Sequence, residues 1–500
     1  MLLRTIPNLS PSYLDHAEDL LQRSMSRLRS EFNYLLCDTL SSPAALDDEP
    51  EDPDLPIPVA QPVQDFNVVI DALPGGNIRD LGDIAKRMAA AGFGQECANA
   101  YSISRKDFVE ESVSRLGVRV FSTSQVQNME CSDLDLEIER WNQAIKVVFH
   151  ILFPSERRLS DRVFAGLAPI ADLGFADACR ETAVNFLRFA AAVATGQRVP
   201  EKLFKVVRMY ETLKELLPQI HVVFEDQYCE YLVEEYDLCW MNLGQAVRDI
   251  FVELENLVKR DLPNRPLPGG GVHPITRYVI NYLHAASFFW RILQEIMEDS
   301  AVPATSVDEL RPSSSLSAQI GWIMERLNQN LEEKSRAYDN EALSFVFLMN
   351  NGQYIVDKLG SSELKMMLGN EWIRGQHSKI RQWLGMYHKR CWAKMIALIQ
   401  ISSEGLGSVL AVKSKLKYFN TYLQDIRTEQ KGWVILNDQL RDKIRSSTVD
   451  YVIPTYSSFL DRARRELGRR MDNTVKHSPD DVEACIRELF VVATRQKPPR

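Results

Sequence analysis

Two short patterns in this sequence contain residue types that could do chemistry if they had the right partners. His388 and Cys391 are spaced like two metal ligands on one helical turn, but structural zinc takes four ligands and no second pair accompanies them. A Gly-Phe-Gly turn at 92–94 resembles the start of a dinucleotide fingerprint, yet it follows a helical run instead of a strand, and Cys97 occupies the last glycine position. We interpret the first pair as packing and surface residues and the turn as a helix end.

Other catalytic signatures are missing from the sequence. The triple glycine at 269–271 lacks the Gly-Lys-Ser/Thr ending with which a phosphate loop reaches phosphates and magnesium. The chain contains neither HExxH nor GxSxG, and its eight histidines lie far apart. We therefore expect no enzyme activity, no cofactor and no metal site.

The chemically informative pattern is positive charge. The chain has a net charge of −9, yet residues 374–470 contain 19 Lys and Arg against 8 Asp and Glu, an excess of +11 that leaves −20 for the rest. Part of this excess is an ordinary solvated helix surface. An excess of this size in one segment favours an anionic partner, either lipid or nucleic acid.

The candidate binding residues form three groups. Three lysines alternate in KSKLKYFN, several arginines crowd one helix, and one lysine follows that helix. Arg462, Arg465 and Arg469 are spaced at i, i+3 and i+7 and therefore share one helix face. The alternating lysines, in contrast, are divided between faces of their helix. We expect the arginine face to contribute more to binding, although some arginines could instead pair with Asp461 and Glu466 or cover core edges. The predicted lipid-binding residues are Lys413, Lys415, Lys417, Arg462, Arg465, Arg469, Arg470 and Lys476.

Nucleic acid is the less favoured partner. Tyr418, Phe419 and Tyr422 lie near the lysines, but their helical spacing is typical of core residues and not of a base-stacking platform. Anionic membrane is therefore the predicted partner.

Helices must position these residues, because apolar residues recur at spacings of three and four almost everywhere. We predict an amphipathic helix between Pro200 and Pro218, and a longer one that runs about five turns from Pro274. Ser478 should cap the last helix, with Pro479 in its first position and two aspartates in its first turn. The predicted fold class is all-α, an elongated rod of stacked antiparallel helical bundles.

Proline, glycine and acidic residues mark the breaks between helical blocks. Residues 47–54 read DDEPEDPD, and 261–274 concentrate proline and glycine, which predicts a mobile connection. The predicted blocks are 1–125 with an acidic disordered loop at 41–66, 126–260, a Pro/Gly hinge at 261–274, 275–400, and a basic membrane-docking block at 401–500.

The sequence also indicates a cellular compartment. No apolar run approaches the roughly 20 residues that span a bilayer, and the first residues do not have the pattern of a secretory signal. The eight cysteines show no CxxC pair, so reduced and mostly buried thiols are expected. We predict a cytoplasmic protein that associates peripherally with the plasma membrane.

Several segments resemble the seventy-kilodalton subunit of the exocyst, in the branch expanded in plants. The most specific is GGGVHPITRYVINYL at 269–283; others are PEKLFKVVRMYETLKELLP at 200–218, KLKYFNTYLQDI at 415–426 and IPTYSSFL at 453–460. The resemblance implies vesicle tethering in exocytosis, with a C-terminal part that binds phosphatidylinositol 4,5-bisphosphate and other surfaces that bind exocyst subunits and Rho-type small GTPases. It also implies that the sequence begins inside the first helical unit, without the family's usual N-terminal coiled-coil region.

The resemblance bears on one site residue directly. The family carries two lysines before its last helix; Lys476 matches the second, whereas Asn473 stands in place of the first. This departure leaves a second hypothesis, a diverged protein-interaction scaffold or decoy in defence-linked trafficking that lacks strong lipid binding.

Overall fold

The computed structural model describes residues 11–37, 73, 75–262, 265–299, 315–360, 363–400, 408–468 and 475–490. Every regular element in these ranges is helical and no strand occurs among them, which confirms the predicted all-α class. No described helix is both long enough and apolar enough to cross a membrane. The predicted acidic loop at 41–66 lies outside the described residues.

The chain divides into two compact units, residues 1–250 and 251–500. The division falls within α9, and the four-block organisation stays a prediction. The α-helices are α1 (Pro11–Cys37), α2 (Gly75–Ala90), α3 (Gly94–Arg115), α4 (Thr123–Gln127), α5 (Cys131–Val147), α6 (Phe153–Val163), α7 (Ala168–Thr195), α8 (Leu203–Val223), α9 (Glu230–Arg260), α10 (Pro274–Ser287), α11 (Trp290–Glu298), α12 (Leu316–Ser335), α13 (Glu341–Leu359), α14 (Leu364–Cys391), α15 (Ala393–Ile399), α16 (Val409–Gln430), α17 (Asp438–Leu467) and α18 (Pro479–Arg487). A π-helical turn lies at Val148–Leu152, and 3-10 turns lie at Pro200–Lys202 and Pro268–Gly270.

The first unit contains a buried ion pair. Arg105 of α3 donates from Nη2 to Glu156 Oε2 of α6 at 2.8 Å, and the Tyr101 hydroxyl donates to Glu156 Oε1 at 2.6 Å. All three residues are buried. The carboxylate is thus paired and hydrogen-bonded, as a charge removed from water must be.

Two predicted helix limits are wrong. Pro218 does not end its helix: α8 runs to Val223, with Pro218 inside it. Proline removes one backbone donor, but Ile220 and Val223 beyond it are buried, and this packing favours continuing the helix. The long helix predicted from Pro274 is interrupted, since α10 ends at Ser287 and α11 begins at Trp290 after a turn.

The mobile connection at 261–274 stays a prediction, but two glycines within this segment, Gly269 and Gly270, are closely packed. Gly269 and Gly270 both have positive φ, +71° and +70°, which favours glycine. The Gly269 carbonyl accepts a hydrogen bond of 2.8 Å from the Val434 amide. Asn350 Nδ2 donates to the carbonyls of Gly270 and Val434, both at 2.7 Å. The backbone groups of Gly269 and Gly270 are thus paired within the second unit, and the absence of a Cβ atom allows the close approach of Val434 and Leu343.

The second unit has a core made by α13 to α18. Its largest fully buried side chains include Trp392, Tyr387, Phe419 and Tyr456. Side chains on the opposite faces of these helices carry the positive charge discussed above, so the core determines which basic residues face solvent.

Candidate membrane-docking surface

Helix α16 carries the three predicted lysines. Ser408 caps it by accepting a hydrogen bond from the Ala411 amide at 3.3 Å. One stripe of the helix is buried in the core at spacings of three and four: Val412, Leu416, Phe419, Leu423 and Ile426. This stripe leaves Lys413 and Lys417 exposed on the opposite side, whereas Lys415 lies half-buried at its flank. The structure therefore separates the three lysines into an exposed pair and one flanking residue.

The arginines of α17 are partly occupied by acidic neighbours. Arg462 Nε donates to Glu466 Oε1 at 2.7 Å, and its side chain is 33% exposed. Arg465 is exposed, and its Nε donates to the Asp461 carbonyl at 3.3 Å. Arg464 lies 4.0 Å from the Asp461 carboxylate. The pairing alternative considered from the sequence thus applies to Arg462, while Arg469 and Arg470 lie outside the described residues.

Lys476 is exposed between two anchored neighbours. Val475 packs against the core of the second unit, and the His477 carbonyl accepts a 2.7 Å hydrogen bond from the Tyr456 hydroxyl. Ser478 then caps α18 with a reciprocal capping box to Asp481, as predicted. The backbone on both sides of Lys476 is therefore held in place while its ammonium group faces solvent.

Tyr456 is the positioning residue that sequence reasoning missed. Its ring stacks on Phe419 of α16, and its hydroxyl binds the segment before α18, so one side chain of α17 connects the elements that carry Lys417 and Lys476. Burial raises the pKa of Tyr456 to about 12, with a further increase from Asp481 and a decrease from Arg464. The signal in the sequence is only an aromatic residue within the apolar pattern of IPTYSSFL.

The exposed lysines differ from the arginines in their partners. Arg390, Arg427 and Arg441 form ion pairs with Glu341, Glu488 and Asp438. Within the described ranges no ion pair engages Lys413, Lys417 or Lys476, which we call the docking lysines. Their charge is therefore free to meet an anionic surface.

His388 and Cys391 are core residues. His388 Nε2 lies 3.2 Å from the Thr448 hydroxyl, and burial lowers the pKa of His388 to about 4. Cys391 is buried, and burial raises the pKa of its thiol to about 12. No group of three or more metal-ligating side chains occurs in the part of the chain that the structure describes. A neutral imidazole and a protonated thiol fit the packing interpretation.

Comparison with known proteins places these helices in one family. A family model for the C-terminal region of the Exo70 exocyst complex subunit matches residues 139–488. Exocyst complex component EXO70B1 of Arabidopsis thaliana is 41% identical over 95% of this chain and 80% of its own length, and EXO70B2 of the same plant is 40% identical over 95% and 79%.

The solved structures agree on the fold. The crystal structure of the S. cerevisiae exocyst component Exo70p gives a TM-score of 0.60 at 16% identity, covering 98% of this chain and 93% of that chain. At this identity the likeness concerns the fold alone. The family model and the plant relatives carry the assignment: the chain belongs to the Exo70 family of exocyst subunits.

Proposed function

We propose that this chain is an exocyst subunit that tethers secretory vesicles to the plasma membrane by binding phosphatidylinositol 4,5-bisphosphate through the basic surface of residues 401–500. The observation that carries the proposal is the set of docking lysines, exposed and without ion-pair partners among the described residues. Family membership supports the exocytic role.

The docking lysines suit reversible binding. A basic residue held near an anionic leaflet contributes about 1 kcal/mol, so three contribute about 3 kcal/mol. This is enough to recruit the protein but weak enough for release, and salt screens it. Further basic residues that engage the same surface would add to this energy.

The remaining surfaces would bind proteins. We propose other exocyst subunits as the principal partners and Rho-type small GTPases as regulators, in a cytoplasmic protein that associates peripherally with the plasma membrane. No catalytic step, cofactor or metal is part of this proposal.

The test is vesicle co-sedimentation of the full chain with phosphatidylcholine vesicles that contain or lack phosphatidylinositol 4,5-bisphosphate. We expect binding that requires the phosphoinositide, falls as salt increases, and is reduced in a Lys413→Gln, Lys417→Gln and Lys476→Gln variant. The matched control is Lys86→Gln, Arg87→Gln and Lys365→Gln, which removes three exposed positive charges outside the basic segment.

Two outcomes would contradict the proposal. Equal recovery with neutral vesicles would show that charge is not the determinant and would favour the protein-interaction scaffold instead. Equal losses in the two triple variants would show that net charge matters and that the docking lysines form no particular site.

A further inference from the structure

The solvent face of α16 carries two large apolar side chains that the core does not use. Leu410 is 74% exposed and Tyr418 is 66% exposed. Both lie on the side opposite the buried stripe of Val412, Leu416 and Phe419. Both side chains are therefore available to a contact outside the core.

The arrangement of this face follows from helix geometry. Leu410 and Tyr418 are eight residues apart, so they are separated by about 12 Å along the axis and about 80° around it. Ser414 lies between them, and Lys413 and Lys417 lie on the side away from Tyr418. Ser414 thus separates the two apolar side chains, and they do not form a continuous patch on α16.

Charge limits what can cover this face. Residues 409–424 contain three lysines and no acidic residue. Protein interfaces deplete charged residues at their apolar centre, and a basic partner would be repelled. Exposed apolar side chains on a basic helix, with Leu410 beside Lys413 and Lys417, instead match the boundary between headgroups and acyl chains, where an amphipathic helix buries apolar groups while cations bind anionic headgroups.

We propose that Leu410 and Tyr418 insert into the interfacial layer of an anionic phospholipid bilayer while Lys413 and Lys417 bind its headgroups. This inference rests on the proposed membrane-binding function and adds an apolar component to it. Salt screens the lysine contribution but not the apolar one, so the two components are separable by experiment.

The first test compares full-length variants on phosphatidylcholine vesicles containing phosphatidylserine and phosphatidylinositol 4,5-bisphosphate, at low and high salt. We expect Leu410→Ser with Tyr418→Ser to lower vesicle affinity about tenfold at both salt concentrations. The Lys413→Gln and Lys417→Gln variant should lose affinity mainly at low salt. The matched control is Val222→Ser with Leu238→Ser, which removes two exposed apolar side chains from the first unit.

The second test measures insertion directly. An environment-sensitive dye is attached to Leu410→Cys in a Cys131→Ser and Cys485→Ser background, and the same background without Leu410→Cys reports labelling elsewhere. Anionic vesicles should shift the dye emission to shorter wavelength, and quenchers placed in the lipid should reduce it.

The outcomes distinguish this inference from the function on which it rests. Failure of the unmodified protein to bind anionic vesicles would overturn both. Normal binding by the Leu410→Ser and Tyr418→Ser variant would overturn only the inference. A dye that stays in water on vesicle-bound protein would also overturn it and would indicate an acidic protein helix as the occupant of this face.

Discussion

The ring of Tyr456 stacks on that of Phe419 with centroids 4.4 Å apart and planes inclined by 7°. The same tyrosine donates its hydroxyl to the His477 carbonyl at 2.7 Å. One buried side chain therefore holds together α16, α17 and the segment that precedes α18. Lys417 lies on α16 and Lys476 lies in the segment before α18, so Tyr456 joins the two elements that carry these lysines.

Removing only the hydroxyl should release the segment around Lys476. We expect Tyr456→Phe to lower the free energy of unfolding by about 1 kcal/mol, because the ring stack is kept and one hydrogen bond is lost. Tyr456→Ala should cost about 3 to 5 kcal/mol, since it also leaves a cavity. Urea unfolding measures both values. Hydrogen exchange should increase at 475–478 in the phenylalanine variant; unchanged exchange there would show that other contacts hold this segment.

The contacts of the basic residues reverse the order in which we expect the lysines and arginines to contribute to vesicle binding. Neutralising Lys413 and Lys417 to glutamine should reduce anionic-vesicle affinity more than neutralising Arg462 and Arg465, because Arg462 is already paired with Glu466. The double variants remove equal charge, so each controls for the other in a vesicle titration at one salt concentration. A larger loss in the arginine variant would restore the arginine face as the main site.

The close packing around the triple glycine is testable by adding single methyl groups. A Cβ on Gly270 would lie 2.8 Å from Leu343 Cδ1, and the residue has a φ of +70°. We expect Gly270→Ala to destabilise the protein by about 2 to 4 kcal/mol through backbone strain and overpacking.

The neighbouring glycine provides the control for that substitution. A Cβ on Gly271 would meet Leu267 Cδ2 at an ordinary 3.6 Å, and its φ is −69°. Gly271→Ala should therefore be nearly neutral in thermal unfolding. Similar melting temperatures for the two variants would mean that the segment yields readily and would support the original expectation of a mobile hinge.

Buried His388 should make stability depend on pH. Its pKa falls from 6.5 to about 4 because burial disfavours the imidazolium, and only 7% of the residue is exposed. The unfolded state therefore binds more protons between these two values. The stability contribution is complete above pH 6.5 and is lost as the pH falls toward 4, by up to about 3 kcal/mol.

A glutamine substitution isolates this contribution. Unfolding free energies of the unmodified protein and of His388→Gln, measured between pH 4 and pH 7, should differ in slope, with the shallower dependence in the variant. Parallel curves would show that carboxylates elsewhere determine the acid sensitivity.

Removing one partner of the ion pair between Arg105 and Glu156 should lower the free energy of unfolding much more than replacing both partners with neutral residues. Arg105→Met leaves a buried carboxylate without its cation and should cost about 3 to 5 kcal/mol. The double variant Arg105→Met and Glu156→Gln should be much closer to the original stability, because neither charge remains and the glutamine carbonyl can still accept from the Tyr101 hydroxyl. A double-variant loss equal to the sum of the single losses would argue against coupling between these residues.

Local pattern was sufficient for much of the helical architecture. Apolar spacing predicts the buried stripe of α16, and Ser478 with Pro479 predicts the start of α18, because helix faces and caps are decided by residues within one or two turns. The end of a helix near residue 92 is decided in the same way, since Gly92 has a φ of +89°.

Only tertiary contacts decided how the same residue types are used. Pro218 lies inside a helix because distant packing outweighs one lost hydrogen bond, and Gly270 is packed because Leu343 and Asn350 approach it from another helix. Each lysine and each arginine contributes the same charge to a sequence total. In the folded chain, however, Arg462 is paired with Glu466 whereas Lys413 is exposed. A charge or a glycine obtains its role from its neighbours in space, and those neighbours lie too far along the chain for local periodicity to identify.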